Sequence, residues 1–322
     1  MQPKRESQPT FFDLAVQQRG GSNRILETIA REVDFSQAEA LVAATYGQGG
    51  RPACRVGVLL RVMILQHLYG LSDPQAEEQL KDRLSFQKFV QLDTHETVPD
   101  ETTICRFRQR LIECRLHERL LDLLNGQLEA RGYIVKRTTL VDATLIESSR
   151  KRPDAQMART GQAPDADARY THKYSKSYYG YKAHVSSDGE HQLIRIAVIS
   201  PANANDADWL ERVAPPDATS LYADKAYDTK ANDAWLQAQG IENQIIKKGA
   251  HHIKLTEQDQ QDNRRKSLVR RCIERIFGHW KQWQHYRRAR YLGLARNQLE
   301  LMLKAVAYNL KRLAGILNQA RT

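Results

Sequence analysis

Residues 138–146 read TTLVDATLI, and this stretch decides the architecture. Its β-branched and apolar side chains favour an extended strand, whereas the carboxylate of Asp142 in its midst does not. A charge placed in such a strand costs several kcal/mol unless it is paired, hydrogen-bonded or bound to a cation. Downstream, the alternation of Tyr179–Val185, a Ser-Asp-Gly turn and Leu193–Ile199 predict a hairpin. A helix is expected near Asn205, a short strand over 220–223, a helix over 231–239 and a strand over 241–246. The order βββαβαβα predicts a five-stranded mixed sheet faced by helices, closed by a long helix over 267–284. Residues 150–173, between the first strand and the hairpin, are polar and turn-rich and read as a loop.

Upstream, residues 22–130 carry helical periodicity. Ile25, Leu26, Ile29 and Val33 repeat behind Ser22, and Val58–Tyr69 follows a GQGGRP turn. Asp73-Pro74 and Pro99-Asp100 open two further helices. The second points Ile104, Phe107 and Leu111 inward and Arg106, Arg108 and Arg110 elsewhere. Successive short helices with a basic last member fit a helix-turn-helix, and they equally fit a plain bundle. The expected class is therefore mixed α+β, with a helical domain over 1–135 and an α/β domain over 136–322.

The 322 residues suffice for about two domains with cores of their own. With 41% apolar and 27% charged residues, disorder is excluded. The longest apolar run, Val56–Leu65, is short and broken by Arg61, so no membrane span is expected. Four scattered cysteines without a CxxC pair argue against a zinc knuckle or a disulfide framework and suit a reducing cytoplasm. The net charge of +11 is concentrated: between Arg264 and Arg296 stand eleven Lys or Arg, Arg271 among them, and one acid, Glu274. Aromatic rings are interleaved, a mixture that suits a phosphate backbone and unstacked bases, although a solvated helix face has the same composition.

Asp224, in LYADKAYD, ends a second short apolar strand that can lie parallel to the first, about 4.8 Å away. On a continuous helix Arg270, Glu274 and Lys281 share one stripe, next to an apolar stripe of Val269, Ile273, Ile276, Phe277 and Trp280. Taken singly, Asp142 reads as a capped strand-end acid and Asp224 as a turn residue. Together, three carboxylates from two strands and a helix make a set of hard oxygen ligands for Mg2+, with Mn2+ as a substitute, in the arrangement used for in-line phosphoryl transfer. Arg270 and Lys281 would then hold phosphate oxygens.

At these residues the chain resembles the DDE transposases of bacterial insertion sequences, in the family-five branch of the family-four-like superfamily. RPACRVGVLLRVMILQHLYGLSDPQAEEQLKDRLSFQKFV and VPDETTICRFRQRL resemble its N-terminal domain. TTLVDATLIES, KSYYGYKAHVSSD, LYADKAYD, RRCIERIFGHWKQW and AVAYNLKRL resemble its ribonuclease-H-like catalytic domain, in order. The resemblance implies Asp142, Asp224 and Glu274 as triad and metal ligands, with Arg270 and Lys281 as the basic residues of the motif around Glu274. Ser267 stands where the related family-four pattern has a tyrosine.

It further implies a cytoplasmic, nucleoid-associated enzyme. Such an enzyme binds the terminal inverted repeats of its element in double-stranded DNA, cleaves at their ends and joins the freed 3′-hydroxyl to a target site. A homo-oligomer in the synaptic complex follows from that mechanism. Lys182, His184, Arg106, Arg108 and Arg271 are further expected DNA contacts, Lys182 and His184 equally reading as plain surface residues. Two alternatives share these features: a DNA-binding relic without catalysis, and a nuclease that hydrolyses but never joins strands.

Overall fold

The computed structural model describes residues 23–47, 54–93, 96–150, 153, 157, 163–173, 175–249 and 255–319. Ser22, most of the GQGGRP turn and parts of the 150–173 segment lie outside them. The described residues form two compact units: one runs to Gln127 and resumes at Val306, the other is Leu128–Ala305. A boundary at 135/136 leaves the residues from Val306 with the second domain; in the structure they group with the first unit.

The first unit is helical, as expected: α1 (Arg24–Glu32), α2 (Ser36–Ala43), α3 (Val56–Tyr69), α4 (Asp73–Asp82), α5 (Leu84–Val90), α6 (Glu101–Glu113) and α7 (His117–Ala130). Side chains start several of them. Asn23 accepts from Leu26 N, Ser72 and Gln75 form a capping box before Pro74, and Asp100 accepts from Thr103 N. Helix α3 is buried from Gly57 to Leu68, the behaviour of a central helix apolar on all sides. Arg61 within it is paired with Glu39 and lies over the Phe35 ring.

The second unit is built on a mixed sheet of β1 (Thr138–Glu147), β2 (Arg169–Lys173), β3 (Lys176–Asp188), β4 (Ile194–Pro201), β5 (Ser220–Tyr222) and β6 (Glu242–Asn243). The order is β2-β3-β1-β5-β6, with β4 also on β3. Strands β1, β3 and β4 form the antiparallel meander, and β5 and β6 add in parallel. This is the ribonuclease-H-like arrangement, with six strands rather than five. The additional one, β2, arises where a loop was expected: Tyr170 and Thr171 favour extension and pair with Tyr179 and Tyr178.

Between the strands lie a 3-10 turn (Asp206–Trp209), α8 (Leu210–Val213), a second 3-10 turn (Lys225–Tyr227) and α9 (Lys230–Ala238). Val141, Leu210, Val213, Leu221, Tyr227 and Leu236 share one core cluster. The helix expected over 267–284 is interrupted. It is resolved into α10 (Glu257–Arg270), a 3-10 turn (Arg271–Ile273) and α11 (Glu274–Trp283), and that turn packs on β1. The last helix is α12 (Leu294–Gln319).

A buried carboxylate explains part of the polar segment. Asp165 accepts hydrogen bonds from Ser148 Oγ at 2.7 Å and from Tyr181 Oη at 2.6 Å, and the Gly293 N–H points at it from 3.3 Å. Two residues on, Asp167 accepts from Leu294 N at the start of α12. The segment thus ties the end of β1, strand β3 and the first turn of α12 together.

Candidate active site

The parallel register sets the first two acids side by side. Leu140 on β1 pairs with Tyr222 on β5, so Asp142 and Asp224 each stand two residues beyond that pair, on neighbouring segments. Each carboxylate has one oxygen fixed locally: Asp142 Oδ1 accepts from Ala143 N and Asp224 Oδ1 from Lys225 N, both at 2.8 Å. The 3-10 turn between α10 and α11 delivers the rest. Arg270 Nη1 lies 2.6 Å from Asp142 Oδ2, and its Nη2 lies 3.1 Å from Glu274 Oε1. One guanidinium therefore spans two acids that are 132 positions apart in the chain.

Burial dominates the electrostatics of the first acid. Burial pushes the Asp142 carboxyl up to about 6; Arg270 opposes that rise, and Asp224 and Asp206 add to it. Lys281 on α11 is the next cation: burial lowers its pKa, Lys173 and Arg287 lower it further, and Asp142 acts in the opposite sense. Lys173 and Arg287 thus lie near Lys281; Arg287 belongs to the basic stretch noted in the sequence, whereas Lys173 belongs to the segment read as a loop.

Divalent metal dependence goes with the resembled family, and the residues present fit such an ion by chemistry. The donors are all carboxylate oxygens, the group hard cations take. The arrangement is not a closed cage. Among the described residues no three His, Cys, Asp or Glu side chains stand close enough to hold a metal ion, and Arg270 lies between Asp142 and Glu274. Asp142, Asp224 and Glu274 are the residues that would hold the ion, with the guanidinium moved aside.

Several expected contacts are placed otherwise. His184 is 0% exposed, stacked on Trp209 at 5.0 Å with Nε2 2.8 Å from Ser200 Oγ, and burial lowers its pKa to about 3, so it is a neutral core imidazole. Arg108 is 5% exposed and grips Asp73 with both Nη atoms, one at 2.9 Å. Both expectations of DNA contact are corrected by that burial. Lys182 has its ammonium 2.8 Å from Asp206 Oδ1 and donates to Ala204 O at 2.7 Å. Val269, expected on the apolar stripe, is exposed, whereas Ile273, Ile276, Phe277 and Trp280 are buried. Arg106 and Arg271 are exposed.

Comparison with known proteins gives the family of the chain. A family model described as "Transposase DDE domain" matches residues 134–310, more than half of the chain, and one described as "Transposase domain (DUF772)" matches residues 15–110. A transposase for insertion sequence element IS1106 from Neisseria meningitidis serogroup B is 32% identical over 226 residues, 66% of this chain and 78% of that protein. Among solved structures, a piggyBac transposase synaptic complex with hairpin DNA aligns with 96% of this chain and 79% of its own, at TM-score 0.44 and 9% identity. A Mos1 strand transfer complex aligns with 76% and 82%, at TM-score 0.21 and 11% identity.

Proposed function

This chain belongs to the DDE transposases of bacterial insertion sequences, the metal-dependent polynucleotidyl transferases that move DNA, and we propose that Asp142, Asp224 and Glu274 are its catalytic triad. The observation that carries the assignment is the Arg270 guanidinium held between Asp142 and Glu274, beside the strand end that bears Asp224. A pair of Mg2+ ions, replaceable by Mn2+, would activate the attacking water or 3′-hydroxyl and stabilise the leaving oxygen.

The chain's own residues do the remainder. Asp142 and Asp224 are oriented by the N–H groups of Ala143 and Lys225, so their other oxygens face the reaction. Arg270 neutralises the acids before substrate arrives and, once released, binds a non-bridging phosphate oxygen together with Lys281. Arg271 and Arg106 contact the DNA backbone from exposed positions.

The substrate is double-stranded DNA bearing the terminal inverted repeats of the element. The 3′-hydroxyl freed at each end is joined to a target site within a homo-oligomeric synaptic complex, in the cytoplasm at the nucleoid. Two features accord with that setting. The four cysteines form no disulfide, and among the described residues no helix is long and apolar enough to cross a membrane.

The test supplies the purified protein with a DNA end carrying a pre-cut 3′-hydroxyl and a target duplex, in Mg2+ or Mn2+. Joined product is expected from the wild type. Asp142→Asn, Asp224→Asn and Glu274→Gln should bind the end but form no product. Hydrolysis without joining identifies a nuclease instead, and joining at the normal rate by any of the three variants removes that residue from the triad.

A further inference from the structure

Strand β3 starts before β1 reaches it. Over Lys176–Tyr179 it pairs with β2, and β1 joins from Gly180, so β2 and the start of β3 make a two-stranded ribbon that runs on beyond the Glu147 end of β1. A ribbon of two strands alone is marginally stable in water. This one is fastened along one face. The Tyr170 and Tyr179 rings stand 5.0 Å apart, Tyr170 Oη donates to Pro153 O at 3.0 Å and Tyr179 Oη donates to Asp165 O at 2.7 Å.

The other face is cationic. The register sets Lys173 opposite Lys176, Thr171 opposite Tyr178 and Arg169 opposite Gly180, and alternation puts these pairs on the side away from the two rings. Both lysines are exposed, whereas Arg169 is turned back onto Ala166 O and Ala168 O. Between Asp167 and Asp188 the sequence carries four Lys or Arg and no acid. Like charges directly opposite in a sheet are destabilising, and an anion lying between them reverses the sign. Thr171 and Tyr178, next on the same face, add hydroxyl groups of the kind that donate to phosphate oxygens. A rigidly anchored tip with two opposed cations thus fits a polyanion.

The ribbon continues the strand that pairs with Asp142. That acid stands opposite Val185, nine residues from Lys176, which at about 3.3 Å per residue puts the backbone of the tip at most about 30 Å away. At about 3.4 Å per base pair this is about nine base pairs of duplex. By alternation the lysine face and Asp142 start on opposite sides of the sheet; the twist, larger in two strands than in a wide sheet, turns the tip towards the side that carries α11, where Lys173 lies near Lys281. Resting on the assignment of cleavage to Asp142, Asp224 and Glu274, we propose that the β2–β3 ribbon is a backbone clamp for the duplex at the element's end, with Lys173 and Lys176 on two of its phosphates within about nine base pairs of the scissile bond. The end duplex is the occupant because it is held at the acids through cleavage and joining alike, whereas the target enters for joining alone.

The experiment uses full-length protein and the pre-cut end duplex in EDTA, without target, and reads affinity between about 50 and 200 mM salt together with hydroxyl-radical protection of the DNA backbone. The double variant Lys173→Gln/Lys176→Gln is expected to lower the slope of log affinity against log salt by about 2, at about 0.9 per phosphate, and to lose protection within about nine base pairs of the cut end. Lys173→Arg/Lys176→Arg should keep both. A wild-type slope in the glutamine variant overturns the proposal, and so does a slope lost equally in the arginine variant, because charge is then not what binds. Full end affinity in the glutamine variant, with joining lost only at low target concentration, also overturns it, since the ribbon then holds the target. Asp142→Asn separates the two levels: if it joins ends normally the triad falls, whereas an unaltered glutamine variant counts against the ribbon alone. A wild type that binds no end overturns both.

Discussion

Replacing Asp142 by asparagine should stabilise the metal-free protein while removing its chemistry. In the native state burial raises the carboxyl from 3.8 to about 6, so between those values the folded chain binds more protons than the unfolded one. Stability then falls as pH rises through that window, and the ionised group is a liability above it. A shift of about two units corresponds to about 3 kcal/mol at neutral pH, roughly half of it developing between pH 5 and 7.5. The substituted amide would keep an acceptor oxygen for Ala143 N and remove the charge, and Arg270 would retain Glu274. Urea unfolding in EDTA at pH 5 and pH 7.5 measures the effect: the variant should gain on wild type by about 1.5 kcal/mol between the two. Saturating Mn2+ should erase the advantage, since only the wild type gains binding energy. If the stabilities of the two proteins run parallel with pH, to within about 0.5 kcal/mol, burial does not raise the Asp142 carboxyl as stated.

Three other outcomes follow from the placement of side chains in the fold. Arg108→Ala leaves the Asp73 carboxylate with only the Gln66 amide as a side-chain donor and should lower stability in urea by about 3 kcal/mol, the range for halving a largely buried ion pair. Exposed Arg106→Ala should leave stability alone and reduce the salt slope of DNA binding by about 1, as loss of one phosphate contact does. Asp165→Ala removes the acceptor shared by Ser148 and Tyr181. It should cost about 2–6 kcal/mol, at about 1–3 per stranded donor, and limited proteolysis should then cut nearer residue 165.

Much of this was legible because the signals were local. Asp73-Pro74 and Pro99-Asp100 announced helix starts that the Ser72 and Asp100 caps bear out. The apolar strand around Asp142 and the short strand before Asp224 gave the parallel pair that sets these acids side by side. The rest depended on long-range packing. Strand β3 is buried on both faces over most of its length, so alternation could not tell that His184 points into the core. Arg108 looked like a surface cation because its partner Asp73 lies 35 residues away. The break at Arg271–Ile273 carries no Pro or Gly to announce it; it follows from fitting Ile273 against the sheet.

Helix α10 contributes no buried residue. It is secured by the Thr256–Asp259 capping box, the Lys247–Asp259 ion pair, the Asn263 contacts to Lys247 and the Lys266 bond to Ile245 O. Exposed ion pairs of this kind are worth about 1 kcal/mol or less each and weaken with salt. The arginine that guards the acids is thus mounted on an electrostatic spring rather than on a hydrophobic bearing. Ionic strength and an approaching polyanion act on that spring directly, and the oily interior below need not rearrange for the guard to swing clear.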